Sequence, residues 1–134
     1  MKRIILLLTL VLFAAPALAE PNDAFKAIIT QQLQAIARDD AGAAYAEAAP
    51  NVQRIFPSPE IFMNMVRGGY AAVYRNKQYH FGESGVDASG RPFQRVEIVG
   101  LDGQYYSAIY FMEQQADGSW KISGVVMAQS GSDV

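Results

Sequence analysis

Up to Tyr74 the apolar residues recur at helical spacing, and from Lys77 onward they alternate with polar ones. Apolar residues three and four apart share one face of a helix, whereas residues two apart share one face of a strand. A chain that makes this change once, near its middle, separates its helices from its strands. That order predicts an α+β domain, with helices packed on one face of an antiparallel sheet.

Three helices are expected in the first half. Asn22 or Asp23 can cap the first, in which Phe25, Ile28, Ile29, Leu33 and Ile36 form the buried stripe and Gln31, Gln32, Gln34 and Arg38 the wet side. Asp39 or Asp40 can cap an alanine-rich second helix from Ala41 to about Ala48, stopped before Pro50. Residues 51–56 read as irregular, with Ile55 and Phe56 plugging the core. Ser58 followed by Pro59 and Glu60 is a helix start, since proline at the first position gives up an N–H that had no partner. Phe62, Met65, Val66 and Tyr70 follow at helical spacing, and Gly68-Gly69 ends the pattern. Residues 70–75 read as a connector.

About four strands are expected in the second half. Tyr79 and Phe81 alternate with Gln78 and His80; Gln94 shares a face with Val96 and Ile98. The segment from Tyr105 to Glu113 is apolar on both faces and so reads as a central strand. In the last strand Trp120, Ile122 and Val126 are expected on one face. Asp102-Gly103 and Asp117-Gly118 mark tight hairpin turns.

The N-terminus carries an export pattern. Lys2 and Arg3 precede an apolar run from Ile4 to Ala15, then Pro16 and Ala17-Leu18-Ala19. The run is short for a membrane span, and small residues close it as a cleavage site does. Residues 1–19 are therefore expected to be a signal peptide and residues 20–134 a single domain, periplasmic or secreted once cut after Ala19. Without Lys2 and Arg3 the basic residues fall from 11 to 9 against 13 acidic ones, a net charge of −4. That argues against nucleic acid and against anionic membrane as partners. The chain has no cysteine, so disulfides, thiolate metal sites, a thiol nucleophile and lipid attachment at cysteine are excluded.

No motif fixes a reaction. The single histidine, His80, rules out a histidine-rich metal site, and the carboxylates lack metal-ligand spacing. Gly68-Gly69 follows a helix, the wrong order for a phosphate cradle. No catalytic residue, metal or cofactor is assigned. What the pattern offers is a pocket. Tyr70, Tyr74 and Tyr110 carry hydroxyls that need partners if buried, and Gln94 is an amide on a core-facing position. If the third helix closes over the sheet, these four converge on a cavity bounded by Met65, Val96 and Met112, which would take a small molecule. An envelope protein is the other partner this reading admits. The competing class is a small acid–base enzyme, an isomerase or dehydratase, with His80 or Asp40 as base and a tyrosine as oxyanion donor.

Helices laid on a bent antiparallel meander resemble the nuclear-transport-factor-2-like, or cystatin-like, fold. More closely, IITQQLQAIARDDAGAAYAEAAP, FMNMVRGGYAAVY and DGSWKISGVVM are similar to a bacterial exported family catalogued as domain of unknown function 4864. Phe62, Met63, Met65, Val66, Gly69, Tyr70, Val73, Tyr74 and Arg75 carry the first specific pattern. Asp117 to Ile122 and Gly124 carry the second. Ala71-Ala72 departs from the proline-rich connector the resemblance leads one to expect. The resemblance implies export and a fold shared by isomerases, dehydratases and binding modules, and it implies no activity.

Overall fold

The computed structural model describes residues 21–130. Helix α1 spans Pro21–Ala37, and its buried stripe is Phe25, Ile29, Gln32, Leu33 and Ile36. Gln32 is thus inside, only 4% exposed, where the sequence placed it on the wet side. It falls three residues after Ile29 and four before Ile36, in the middle of the stripe. Its Nε2 donates to the carbonyl of Ala44 at 3.2 Å, so the buried amide is partnered.

Asp39 adopts a left-handed backbone with φ of 56° and closes α1. Its N–H bonds to Ile36 O and that of Asp40 to Ala35 O, the paired bonds of a Schellman ending. The Asp40 side chain then accepts from Ala43 N at 3.1 Å and starts α2, Ala41–Ala46. The chain leaves α2 along the sheet edge: Ile122 N donates to Glu47 O and Ala49 N to Ile122 O, at 2.9 and 2.8 Å.

Among the described residues, five helices stand in place of the three expected. Residues read as irregular form α3, Pro50–Ile55, because Pro50 sits at the first helical position, where its fixed φ is an advantage. The turn carries Val52 and Phe56 inward and Ile55 outward, 68% exposed, so only Phe56 of the expected pair of plugs faces in. Ser58 caps α4, Pro59–Gly69, by accepting from Ile61 N at 3.2 Å. Ala71-Ala72, both good helix formers, let the connector close one more turn as α5, Ala71–Tyr74.

The strands are β1 Asn76–Val86, β2 Pro92–Gly100, β3 Tyr105–Gln114 and β4 Trp120–Ser130, antiparallel neighbours in the order β1-β2-β3-β4. Gly103 and Gly118 take φ of 78° and 86° in the last two turns, a conformation without steric cost only for glycine. β1 carries a register shift between Phe81 and Ser84. Another shift lies at Phe111/Met112, opposite Ser123. One extra residue exchanges the faces of everything beyond it. Ile122 therefore points into the core while Val126, expected beside it, is 58% exposed, and Val125 and Met127 turn inward.

The helices cover the face carrying Val96, Ile98, Ala108, Tyr110, Met112 and Ile122, all buried. Trp120, half-buried, meets Phe25 edge to face at 4.8 Å and joins the start of β4 to α1.

Candidate functional site

A cleft of about 170 Å³ lies between the helices and the β3–β4 half of the sheet. Gln32 and Ile36 of α1 form one wall, with Val73 of α5. Ala48, Val52 and Phe56 form a second, and Phe62, Met65, Val66 and Tyr70 a third. Tyr110 of β3 and Ile122, Gly124 and Val125 of β4 line it from the sheet. Among the described residues, no charged side chain lines it.

The walls are tied by hydrogen bonds from tyrosines. Tyr45 donates to Phe56 O at 2.8 Å, and Gln53 Nε2 returns a bond to Tyr45 O at 3.1 Å, which fixes α3 against α2. The Tyr70 hydroxyl donates to Val125 O at 3.1 Å, across the gap between α4 and the edge of the sheet. The α2–α3 connection covers the edge at Ile122, and Asn51 Nδ2 donates to Ser123 O at 3.0 Å. The cleft lies beside these ties, with Gly124 and Val125 on its sheet side.

Tyr110 is fully buried, and its hydroxyl has no hydrogen-bond partner among the described residues. Burial pushes its acidity far below that of a free phenol, with the neighbouring Tyr79 and Tyr70 adding to the shift. The group is therefore protonated at any physiological pH, a neutral donor in an apolar setting.

Of the seven residues expected to form a pocket, Met65, Tyr70 and Tyr110 line the cleft. Tyr74, Gln94, Val96 and Met112 do not. Val96 and Met112 are packed in the core. The Gln94 amide nitrogen is spent on the backbone: Nε2 donates to Gly82 O at the β1 irregularity at 2.9 Å and to Arg95 O of its own strand at 2.8 Å.

Tyr74 turns to the outside. Its hydroxyl donates to Asp39 Oδ1 at 2.7 Å, Arg75 Nη2 donates to Asp39 Oδ2 at 2.7 Å, and Arg67 Nε donates to the Tyr74 oxygen at 3.2 Å. The Arg75 guanidinium lies 3.9 Å from the centre of the Tyr74 ring. The Tyr74 hydrogen bond, and next the charge of Arg75, hold the Asp39 carboxyl below the usual carboxylate range. This cluster joins the end of α1 to α4 and α5, and it explains an aspartate where a left-handed cap ordinarily takes glycine.

His80 and Asp40 do not line the cleft either. His80 is exposed on β1, in register with Glu97 of β2, and Asp40 is occupied as a helix cap with Arg38 beside it at 3.5 Å. No hydrogen bond joins the two among the described residues. Nor does any group of three or more His, Asp or Glu there stand close enough to hold a metal ion.

The cleft residues that sequence reasoning missed are mostly aliphatic. Gln32 had a usable signal, its place in the α1 stripe. Val52 and Phe56 had another, their i, i+4 spacing behind Pro50. Val125 had none, because its facing depends on the irregularity at Ser123.

The chain is a member of the family described as Domain of unknown function (DUF4864), whose model matches residues 19–133. The comparison with curated proteins returns no match. No helix among the described residues is long and apolar enough to cross a membrane.

Proposed function

We propose that this protein is a non-catalytic binding module that takes a small, largely apolar molecule into the cleft between its helices and its sheet. One observation carries the reading. A cleft of about 170 Å³, free of charged side chains, penetrates to a fully buried tyrosine whose hydroxyl is unpartnered. Concave, apolar sites with few polar groups are the usual form of a small-molecule site. The acid–base alternative has less support, since His80 and Asp40 lie apart from the cleft and no second titratable group lines it beyond tyrosine hydroxyls.

We place the domain, residues 20–134, outside the cytoplasm. The apolar run Ile4 to Ala15 and the Ala17-Leu18-Ala19 close support export, and the family match begins at residue 19. Mass spectrometry of the protein from an envelope fraction should find Glu20 first; uncut chain held in the membrane would contradict it. We also favour the nuclear-transport-factor-2-like fold, supported by helices gathered on one face of an antiparallel meander.

A thermal-shift screen of small apolar compounds tests the binding reading. The protein should be stabilised by some of them, and Met65→Trp, which fills the cleft from α4, should lose the effect. Stabilisation that survives Met65→Trp would place the ligand elsewhere.

A further inference from the structure

Three features of the cleft narrow its ligand. The first is size. A cavity of about 150 Å³ accommodates a benzene-sized molecule, so about 170 Å³ suits a single ring or short chain with one small substituent.

The second is charge. Among the described residues, no lysine, arginine, aspartate or glutamate lines the cleft. An ion entering it would lose its hydration and gain no counter-charge, which is strongly unfavourable.

The third is the pattern of committed protons. Three polar side chains line the walls. Gln32 directs its amide nitrogen to Ala44 O, and Tyr70 directs its hydroxyl proton to Val125 O. The Tyr110 proton is committed to nothing. A buried donor left unpaired is costly, and an acceptor brought to it recovers the loss.

We propose that the cleft selects an uncharged molecule of about the size of acetophenone that carries a hydrogen-bond acceptor oxygen, held by the Tyr110 hydroxyl. The proposal rests on the reading of the cleft as a ligand site. Gln94 Oε1 offers a rival partner for the same proton. It too is buried and unpartnered, and Gln94 is in register with Tyr110 across β2 and β3.

The test compares acetophenone, ethylbenzene and benzoate on the purified protein and on Tyr110→Phe, by calorimetry or NMR titration. Acetophenone and ethylbenzene share a ring and differ in the carbonyl; benzoate adds a charge. Tyr110→Phe should weaken acetophenone about two-fold to ten-fold, the range for one hydrogen bond. It should leave ethylbenzene unchanged, and benzoate should bind neither protein. The carbonyl stretch of bound acetophenone should lie below its value in hydrocarbon solvent, a measurement that needs no variant.

Equal effects of Tyr110→Phe on the two neutral probes, or a carbonyl stretch at its hydrocarbon value, would overturn the acceptor proposal and leave the cleft as a purely apolar site. It would also mean that Tyr110 is served from within, with Gln94 as its partner. Tight binding of benzoate would overturn the requirement for neutrality. Binding of none of the three would remove both this proposal and the ligand-site reading.

Discussion

The hydroxyl of Tyr70 donates to the carbonyl oxygen of Val125 at 3.1 Å, and so ties the exit of α4 to the edge strand of the sheet. Val125 lies just past the irregularity in β4 and lines the cleft. One half-buried hydrogen bond therefore closes the side of the cleft. Tyr70→Phe should cost about 0.5–1.5 kcal/mol in denaturant titration, the net value of one such bond. No loss at all would mean the hydroxyl is equally well served by water.

Tyr110→Phe should behave in the opposite way. Its hydroxyl is buried without a partner, so its removal deletes a desolvated dipole and no hydrogen bond. The unliganded variant should be unchanged or more stable, by up to about 1 kcal/mol. A clear loss of stability would show that the hydroxyl is bonded inside the protein.

Gln94→Leu tests the irregular edge. Gln94 Nε2 serves Gly82 O and Arg95 O, and leucine would leave both carbonyls without that donor. The expected cost is about 1–3 kcal/mol, concentrated in β1, where amide exchange near Gly82 should accelerate. An unchanged exchange pattern would mean that β1 holds its shape without the amide.

Acid should unfold the protein through its turn and cap carboxylates. Asp39 is held down by the Tyr74 hydrogen bond, Asp87 and Asp102 by backbone N–H groups of Arg91 and Gln104, and Asp117 by Ser119. Each has a folded pKa below its unfolded value of about 3.9. Their contribution is therefore complete above that value and is lost as pH falls through the lower, folded values. Thermal melting should be flat in this respect from pH 7 to about 5 and fall below about 4. Melting that is already falling between pH 7 and 6 would contradict this account.

Much of the fold was legible because local chemistry decides it. Ser58-Pro59 starts α4, Asp40 caps α2, and the glycines at 103 and 118 turn the hairpins, each by short-range rules. The change of period near Lys77 divided helices from strands. Some misses were local, as with Gln32 in the α1 stripe and α3 behind Pro50, and others originate in contacts distant in sequence. The partner of Gln32 is one of these, since α2 brings Ala44 O to it. Val126 faces outward because one irregularity in β4 reverses the alternation after Ile122. The tyrosines were singled out for good reason, yet their destinations depend on where the chain turns. Tyr70 reaches the sheet edge, Tyr74 reaches Asp39 at the end of α1, and Tyr110 points to neither. Alternation could place Gln94 on the core face. It could not show that backbone carbonyls of β1 and of β2 itself would occupy its amide nitrogen.

The most direct test of the central claim is an NMR titration of the protein, methyl-labelled at Met, Ile and Val, with toluene. The cleft reading expects saturable shifts at Met65, Val66, Ile122 and Val125, with Ile55 and Val86, exposed elsewhere, unmoved. Absence of saturable shifts, or shifts of equal size at Ile55 and Val86, would contradict it.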